Sequence, residues 1–183
     1  MSLKNENIDA LIQLCLKNDQ SAQMEIYNRY FRAMYNTAFR IIKKNDEAED
    51  VMQESFLSAF TKLHTFKGEV AFGAWLKRIV INNSIKSYRE QQKMNQVALE
   101  SIIHKVKDND VVISQSFTEL KAQKVMETMG KLKENYRISL TLYLIEGYDY
   151  EEISSIMNIS YANCRTTISR AKESLRKKLL IAQ

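Results

Sequence analysis

The sequence predicts an all-α protein: two small helical domains joined by a linker, the second ending in a helix-turn-helix. Three observations predict this fold class. The chain of 183 residues contains four glycines and no proline, the residues that tight turns between strands need most. Apolar residues recur at helical rather than alternating spacing along most of the chain. Between about 93 and 113 this pattern weakens, which separates two helical segments.

Eight helices account for the apolar spacing. They are expected at 6–17, 20–43, 46–63 and 71–90 in the first domain, and at 114–129, 134–146, 149–157 and 161–180 in the second. Asn45 and Asp46 are suited to cap the third helix. The apolar residues of that helix should face the core; they are Val51, Phe56, Leu57 and Phe60. Helical spacing also predicts core packing for Tyr27, Tyr30, Phe31 and Tyr35.

Composition and motif searches exclude several classes of function. No apolar run reaches the length of a membrane span, and the first residues lack a signal-peptide pattern. The two cysteines and two histidines are scattered, so disulfide and zinc-site spacings are absent. Gly68 to Gly73 has the glycine spacing of a P-loop, but Ala74 and Trp75 stand where Lys and Ser or Thr are needed. We therefore expect a cytoplasmic, non-enzymatic protein without metal or cofactor.

The net charge of +5 is concentrated in two parts of the chain. Residues 66–93 and 160–183 are strongly basic, whereas the remaining segments are slightly acidic. Basic segments of this kind are the electrostatic footprint of nucleic-acid binding. Because each domain has one such basic segment, we expect a polyanionic partner that both domains contact.

The last forty residues have the pattern of a helix-turn-helix. Asp149 can cap a short helix that ends at 157, and Ser160 can cap the next helix after a three-residue turn. That next helix carries an apolar stripe formed by Cys164, Ile168, Ala171, Leu175 and Leu179. We interpret the side opposite the stripe as a polar, basic face formed by Arg165, Ser169, Lys172 and Arg176. The second helix of such a motif enters the major groove. Arg165, near its start, is then placed to reach base edges. The alternative is a basic face that is merely solvated.

At these residues the chain resembles region four of bacterial sigma factors of the extracytoplasmic-function (ECF) type. The resemblance rests on 151–153, 159–160 and 165–176, although Ala162, Asn163 and Cys164 replace the Gly, Thr and Val of the family pattern. It implies that this domain reads the −35 element of promoter DNA and contacts the β flap of core RNA polymerase. The implied −35 contacts are Arg165, Thr166, Ser169, Arg170, Lys172 and Arg176.

The N-terminal half is similar to region two of the same family. Residues 47–56 resemble its A-E-D-V-V-Q-E-x-F signature, and residues 66–82 resemble its F-R-G-x-S-x-F-x-x-W-L-x-R-I-A-x-N segment. The first match implies a helix that docks on the β′ clamp helices of core RNA polymerase. Its polar face at i, i+3 and i+4 is formed by Asp50, Gln53 and Glu54.

The second match implies capture of the melted −10 strand. Aromatic rings beside cations suit single-stranded DNA, because bases stack on the rings while Lys and Arg meet phosphates. The candidates are Lys67, Trp75, Arg78, Asn82, Asn83, Lys86 and Arg89. Phe72 and Ile79 share the apolar stripe and are interpreted as core. For Trp75 both interpretations, packing and stacking platform, remain open.

These observations together predict a sigma factor. Residues 1–92 would form region two, 93–113 the linker and 114–183 region four. The expected partners are core RNA polymerase and promoter DNA, and the family adds an anti-sigma factor that no sequence feature here specifies. One alternative is a helix-turn-helix regulator with an N-terminal sensor or dimerisation domain, which leaves 47–56 and 66–82 unexplained. A second alternative, a helical nucleic-acid enzyme, lacks paired carboxylates and a nucleophile motif.

Overall fold

The computed structural model describes residues 3–98 and 117–181, and its chain divides into two units at Lys93 and Met94. Unit one contains α1 (Ile8–Leu16), α2 (Gln20–Ile42), α3 (Asn45–Thr61) and α4 (Phe72–Ala98). Unit two contains α5 (Phe117–Gly130), α6 (Glu134–Leu140), α7 (Tyr150–Met157) and α8 (Tyr161–Ile181), with a π-helical turn at Thr141–Ile145. Every regular element in the described ranges is helical, which confirms the predicted fold class. None of these helices is long and apolar enough to cross a bilayer.

Two helix ends differ from the predicted ones by six residues or more. Helix α4 continues past residue 90 to Ala98, so its last turn lies inside the range assigned to the linker. The helix expected at 134–146 ends at Leu140 and continues as the π-helical turn, after which Gly147 adopts φ +78°. Periodicity alone does not separate an α-helix from a π turn, because both keep the chain coiled in the same direction.

In unit one, α2 is the central helix and packs against both α1 and α3. The core is built from fully buried side chains of all four helices, namely Leu11, Ile26, Ile41, Ala48, Leu76 and Ile81. Gly73 at the start of α4 lies against the ring of Tyr30 from α2, where an added Cβ would lie 2.9 Å from Cε1. This packing places α3 and α4 side by side, with one face of each exposed.

The aromatic residues of α2 were predicted as core, but they lie at the edge of the helix packing. Tyr27 packs on Phe56 of α3 with ring centroids 4.8 Å apart, and it is only partly buried. Phe31 stacks on Tyr27 and remains 42% exposed. Tyr35 stacks on Phe39. The prediction of core packing is therefore wrong for Phe31.

The start of α3 also differs from the prediction. The N-cap residue is Lys44, without a capping side-chain hydrogen bond, and Asn45 is the first helical residue. The Asn45 side chain instead accepts a hydrogen bond from the hydroxyl of Tyr35, at 3.2 Å. Asp46 and Glu47 lie in the first turn, where carboxylates interact favourably with the helix dipole.

In unit two, α8 is the central helix and contacts α5, α6 and α7. Its predicted apolar stripe is buried at Cys164, Ile168, Ala171 and Leu175. Ile138, Leu142 and Ile153, from the elements before it, are also fully buried. The opposite side of α8 is thereby directed to solvent.

The predicted caps of the helix-turn-helix are confirmed. Asp149 accepts a hydrogen bond from the backbone N–H of Glu152, whose side chain accepts one from the backbone N–H of Asp149. Asn158 ends α7 in the left-handed conformation with φ 48°. The hydroxyl of Ser160 accepts from the backbone N–H of Asn163 at 3.2 Å. These caps determine where α7 ends and where α8 begins, and thereby the angle between the two helices.

Removal of the first of these caps should weaken unit two. The Asp149→Ala variant loses the capping hydrogen bond, which typically costs about 1 kcal/mol of folding free energy. We expect a lower denaturant midpoint for Asp149→Ala and a nearly unchanged one for Ser155→Ala, which changes an exposed residue of the same helix beyond its first turn. Equal midpoints for the two variants in urea would contradict a stabilising role of this cap.

The two cysteines are structural. Cys15 and Cys164 are both buried free thiols. Burial, together with the charge of Asp19, raises the pKa of Cys15 to about 11, and burial also raises the pKa of Cys164. Since the thiolate is the reactive form, we expect both thiols to react slowly with a disulfide reagent at pH 8 in the folded protein. The rate should rise as pH approaches 11, and denaturant should abolish the protection. Rapid labelling at pH 8 under native conditions would contradict this.

Candidate functional site

The outer face of α3 carries the three residues predicted to dock on a partner. Asp50, Gln53 and Glu54 are all exposed. The Gln53 amide donates to the carboxylate of Glu49 at 3.2 Å and stays on the surface. The buried side of the same helix is formed by Ala48, Val51, Met52, Ser55, Phe56 and Ala59. The structure therefore brings the predicted polar residues together on one solvent-facing side.

Leu57 belongs to this outer face, and the prediction that it is core is wrong. It is 69% exposed. Three and four residues separate it from Glu54 and Gln53, so helical geometry places it beside them. Its apolar spacing relative to Phe56 and Phe60 had suggested burial. Its position along the helix could have identified it. Leu57 is seven residues, or about two turns, after Asp50 and therefore lies on the same polar side. We name Asp50, Gln53, Glu54 and Leu57 the α3 face.

A polar groove with a cavity volume of about 470 Å³ separates α3 from α4. Its walls carry Glu47, Asp50, Glu54, Lys62, Lys86 and Glu90. Two hydrogen bonds connect the helices: the Asn83 amide donates to the hydroxyl of Ser55 at 3.0 Å, and the Gln91 amide donates to Glu47. Asn83, a predicted −10 contact, is thus half-buried and engaged within the protein.

An aromatic cluster lies at the start of α4. Trp75 is half-buried and contacts Phe66 and Phe72, with ring centroids 5.3 and 5.6 Å away. Phe72 is buried, which confirms its core assignment, and Tyr30 meets it edge-on at 5.5 Å. The loop between Phe66 and α4 turns at Gly68, where φ is +74°. The packing role of Trp75 is therefore confirmed, and because the residue is only partly buried, its role as a stacking platform stays a prediction.

The remaining −10 candidates follow α4 and the loop before it. Lys67, Arg78, Asn82 and Lys86 are exposed, whereas Arg89 is half-buried and has an interaction within the protein. Lys86 lies 4.0 Å from Glu90, one helical turn later, and both are largely exposed. An ion pair of this kind contributes little and leaves the ammonium available. We name Lys67, Trp75, Arg78, Asn82 and Lys86 the α4 surface.

The exposed side of α8 carries most of the predicted −35 contacts. Arg165, Thr166, Ser169, Arg170 and Arg176 are exposed. The Thr166 hydroxyl donates to the backbone carbonyl of Ala162 at 2.9 Å, as is common for Thr inside helices. Further along, Glu173 pairs with Lys177 at 2.7 Å, and this contact holds the pKa of Glu173 below its usual value.

Lys172 differs from the other predicted −35 residues. It is half-buried, with Nζ 4.0 Å from the ring centroid of Tyr143 in the π-helical turn. The prediction that it lies on the free face opposite the apolar stripe is therefore wrong. The tyrosine that holds it is remote in sequence, so helical spacing within α8 could not reveal the contact.

Two family models match the chain, one in each helical half. The family model for Sigma-70 region 2 matches residues 26–94, which include α3 and most of α4. The model for Sigma-70 region 4 matches residues 122–175, which include the helix-turn-helix. Both matches fall on the segments from which the three surfaces are built.

Curated relatives match over nearly the full length. The ECF RNA polymerase sigma-E factor of Salmonella typhimurium (strain LT2) is 30% identical over 182 residues, covering 92% of this chain and 92% of the relative. The ECF RNA polymerase sigma factor SigM of Bacillus subtilis (strain 168) is 31% identical over 152 residues, covering 83% and 91%.

Solved structures show the same fold. The sigma factor RpoE of Bartonella quintana, in complex with the anti-sigma factor NepR, superposes with a TM-score of 0.61 at 21% identity, covering 87% of this chain and 98% of that one. CnrH, in complex with the cytosolic domain of CnrY, gives a TM-score of 0.54 at 24% identity, covering 97% and 99%. With two family models and full-length relatives in agreement, the chain belongs to the ECF RNA polymerase sigma factors, which direct RNA polymerase to promoters.

Proposed function

We propose that the three surfaces divide the work of a sigma factor between them. The α3 face binds core RNA polymerase, the α4 surface holds the melted −10 strand, and α8 reads the −35 duplex. The observation that carries the proposal is that unit one combines an exposed acidic face on α3 with an aromatic and basic surface on the adjoining helix. The two meet at the groove, where Asp50, Glu54 and Lys86 line the walls. A helix-turn-helix regulator would need neither surface. The chain acts by binding, and we assign no catalytic step to it.

The α3 face fits a basic partner helix. Two carboxylates and an amide surround Leu57, whose 69% exposure gives the face an apolar centre. Protein interfaces combine such a centre with a polar rim. Arg or Lys side chains of the partner would pair with Asp50 and Glu54, while an apolar residue would cover Leu57. We assign this role to the β′ clamp helices, and contact with the β flap to unit two.

The α4 surface suits a single strand. Trp75 offers a partly accessible ring on which a base can stack, and Arg78, Asn82 and Lys86 follow it along the exposed side of α4. Stacking on an aromatic ring typically contributes about 1–3 kcal/mol per base. Phe66 and Phe72 hold the Trp75 ring in place, so less entropy is lost when a base binds.

The proposed reading of the −35 element rests on the exposed side of α8. The N-terminal residues of a recognition helix contact base edges in the major groove. Arg165 is exposed there, one turn into the helix, and is assigned to base reading. Arg170 and Arg176, further along, are assigned to phosphates, with Thr166 and Ser169 as shorter polar contacts.

An anti-sigma factor is a further proposed partner. Both solved structures named above are complexes with another protein: NepR, an anti-sigma factor, and the cytosolic domain of CnrY. By analogy with these complexes, we infer that this chain also binds an anti-sigma factor.

The experiment is in vitro transcription with purified core polymerase on genomic fragments, with DNA binding measured in parallel. The chain alone should bind DNA weakly and lose that affinity steeply with salt, because its charge of +5 is split between two segments that supply few phosphate contacts each. Addition of core polymerase should produce transcription from specific start sites. Tight, sequence-specific binding by the chain alone, with no effect of core polymerase, would contradict the proposal and support a plain regulator.

A further inference from the structure

Three tyrosines and Lys172 form a cluster that joins three elements of unit two. Tyr143 lies in the π-helical turn, Tyr150 begins α7 and Tyr161 begins α8. The rings of Tyr143 and Tyr150 stack with centroids 5.2 Å apart and an interplanar angle of 22°. Tyr161 meets Tyr150 edge-on at 6.4 Å. The Nζ atom of Lys172 lies 4.0 Å from the Tyr143 centroid. We name these four residues the tyrosine cluster.

The chemistry of this cluster is that of an anion site. An ammonium supplies three hydrogen-bond donors, and each phenol supplies one more. Hydrogen bonds with Tyr150 and Lys172, together with the charge of Lys172, hold the pKa of Tyr143 below its usual value, so a bound anion would exchange some of these internal hydrogen bonds for its own. Tyr161 is 49% exposed, and Tyr143, Tyr150 and Lys172 are each partly accessible, so an anion can approach from solvent.

The position of the cluster indicates which anion it binds. Tyr150 and Tyr161 are the first residues of the two helices of the helix-turn-helix. In this motif the first helix crosses the DNA backbone and the second enters the groove. Tyr and Lys side chains are among those that bind phosphate oxygens and thereby set the register of a protein on the duplex.

We propose that the tyrosine cluster binds one backbone phosphate of the −35 duplex. The inference rests on the proposed role of α8 and deepens it. Lys172 becomes a register-setting contact whose position is determined by the ring of Tyr143. Arg165 lies on the same helix between Tyr161 and Lys172. A phosphate held at the cluster would therefore determine which base pairs Arg165 can reach.

The test is binding of the reconstituted holoenzyme to promoter DNA in which each −35 phosphate in turn is replaced by an uncharged methylphosphonate. With the wild-type chain, one replacement should weaken binding by about fivefold or more. With Lys172→Met, that replacement should have no further effect, and the slope of log affinity against log salt should be shallower by about one unit. The double variant Tyr143→Phe with Tyr150→Phe keeps the stacked rings and removes two donors, so the effect of the same phosphate should shrink.

The matched control is Lys177→Met. Lys177 lies on the same helix, pairs with Glu173 at 2.7 Å and is outside the cluster. It should keep the wild-type sensitivity at the cluster phosphate. The inference would be overturned if Lys172→Met and the tyrosine double variant both lost as much affinity as wild type at every methylphosphonate position. The inference would also be overturned if Lys172→Met or the tyrosine double variant changed the order in which the holoenzyme prefers −35 base variants, because the cluster would then read bases. Failure of the wild-type holoenzyme to distinguish −35 sequences would instead contradict the role of α8 itself.

Discussion

Replacing Asp50 and Gln53 together with alanine should weaken binding to core RNA polymerase by about 2–5 kcal/mol, if the partner charge becomes buried on docking. Both side chains are exposed on the α3 face, and neither packs in the core. The free protein should therefore keep its melting temperature while its affinity for core polymerase falls by more than tenfold. Fluorescence anisotropy of the labelled chain against core polymerase measures the affinity.

A matched control and a second variant make this result specific. Asp9→Ala with Gln13→Ala removes the same residue types from exposed positions of α1 and should leave core binding unchanged. Leu57→Ala should weaken binding without altering its salt dependence, because Leu57 contributes apolar contact rather than charge. Unchanged affinity of Asp50→Ala with Gln53→Ala at an unchanged melting temperature would remove α3 from the docking interface.

Arg165→Ala should lower recruitment to the −35 element and relax discrimination at one or two base pairs. A bidentate contact between Arg and guanine contributes about 1–3 kcal/mol of discrimination, so the preference should fall by about 5- to 150-fold. Arg165 is exposed and next to the buried Cys164, so its loss should not disturb the core. Opening of the −10 strand should proceed once the complex is loaded.

The measurement is holoenzyme binding to single-base −35 variants at two salt concentrations. Arg176→Ala is the comparison: as a phosphate contact it should weaken all variants equally and reduce the salt slope by about one unit. If Arg165→Ala keeps the wild-type ranking of variants and shows only a uniform loss, Arg165 positions the helix and does not read bases.

Local sequence signals predicted the parts of the fold that depend on neighbouring residues. The caps at Asp149 and Ser160 were predictable because a capping side chain bonds a backbone N–H within the same turn. The buried stripe of α8 was predictable because burial of Cys164, Ile168 and Leu175 requires only that one face of a helix meets a core. The polar side of α3 followed from the same logic at Asp50 and Glu54.

The differences arose where a side chain is held by a residue remote in sequence. Asn45 was expected to cap α3, but it bonds Tyr35 of α2. Asn83 was expected among the DNA contacts; its bond to Ser55 of α3 was not foreseen, and its contact with DNA stays a prediction. Lys172 was expected on an open face, yet it lies on the ring of Tyr143. Spacing within one helix contains no information about such partners, since they depend on how helices pack.

The two hydrogen bonds across the α3–α4 groove have a consequence for how this protein can change over generations. Ser55 is buried and bonds Asn83, so neither position can vary without affecting the other helix. Effects of substitutions in one hydrogen-bonded network are not additive. A substitution at Ser55 or at Asn83 would therefore disturb the packing of α3 against α4. Substitutions at these two positions should therefore arise together over generations, because each alone leaves the other helix without its partner.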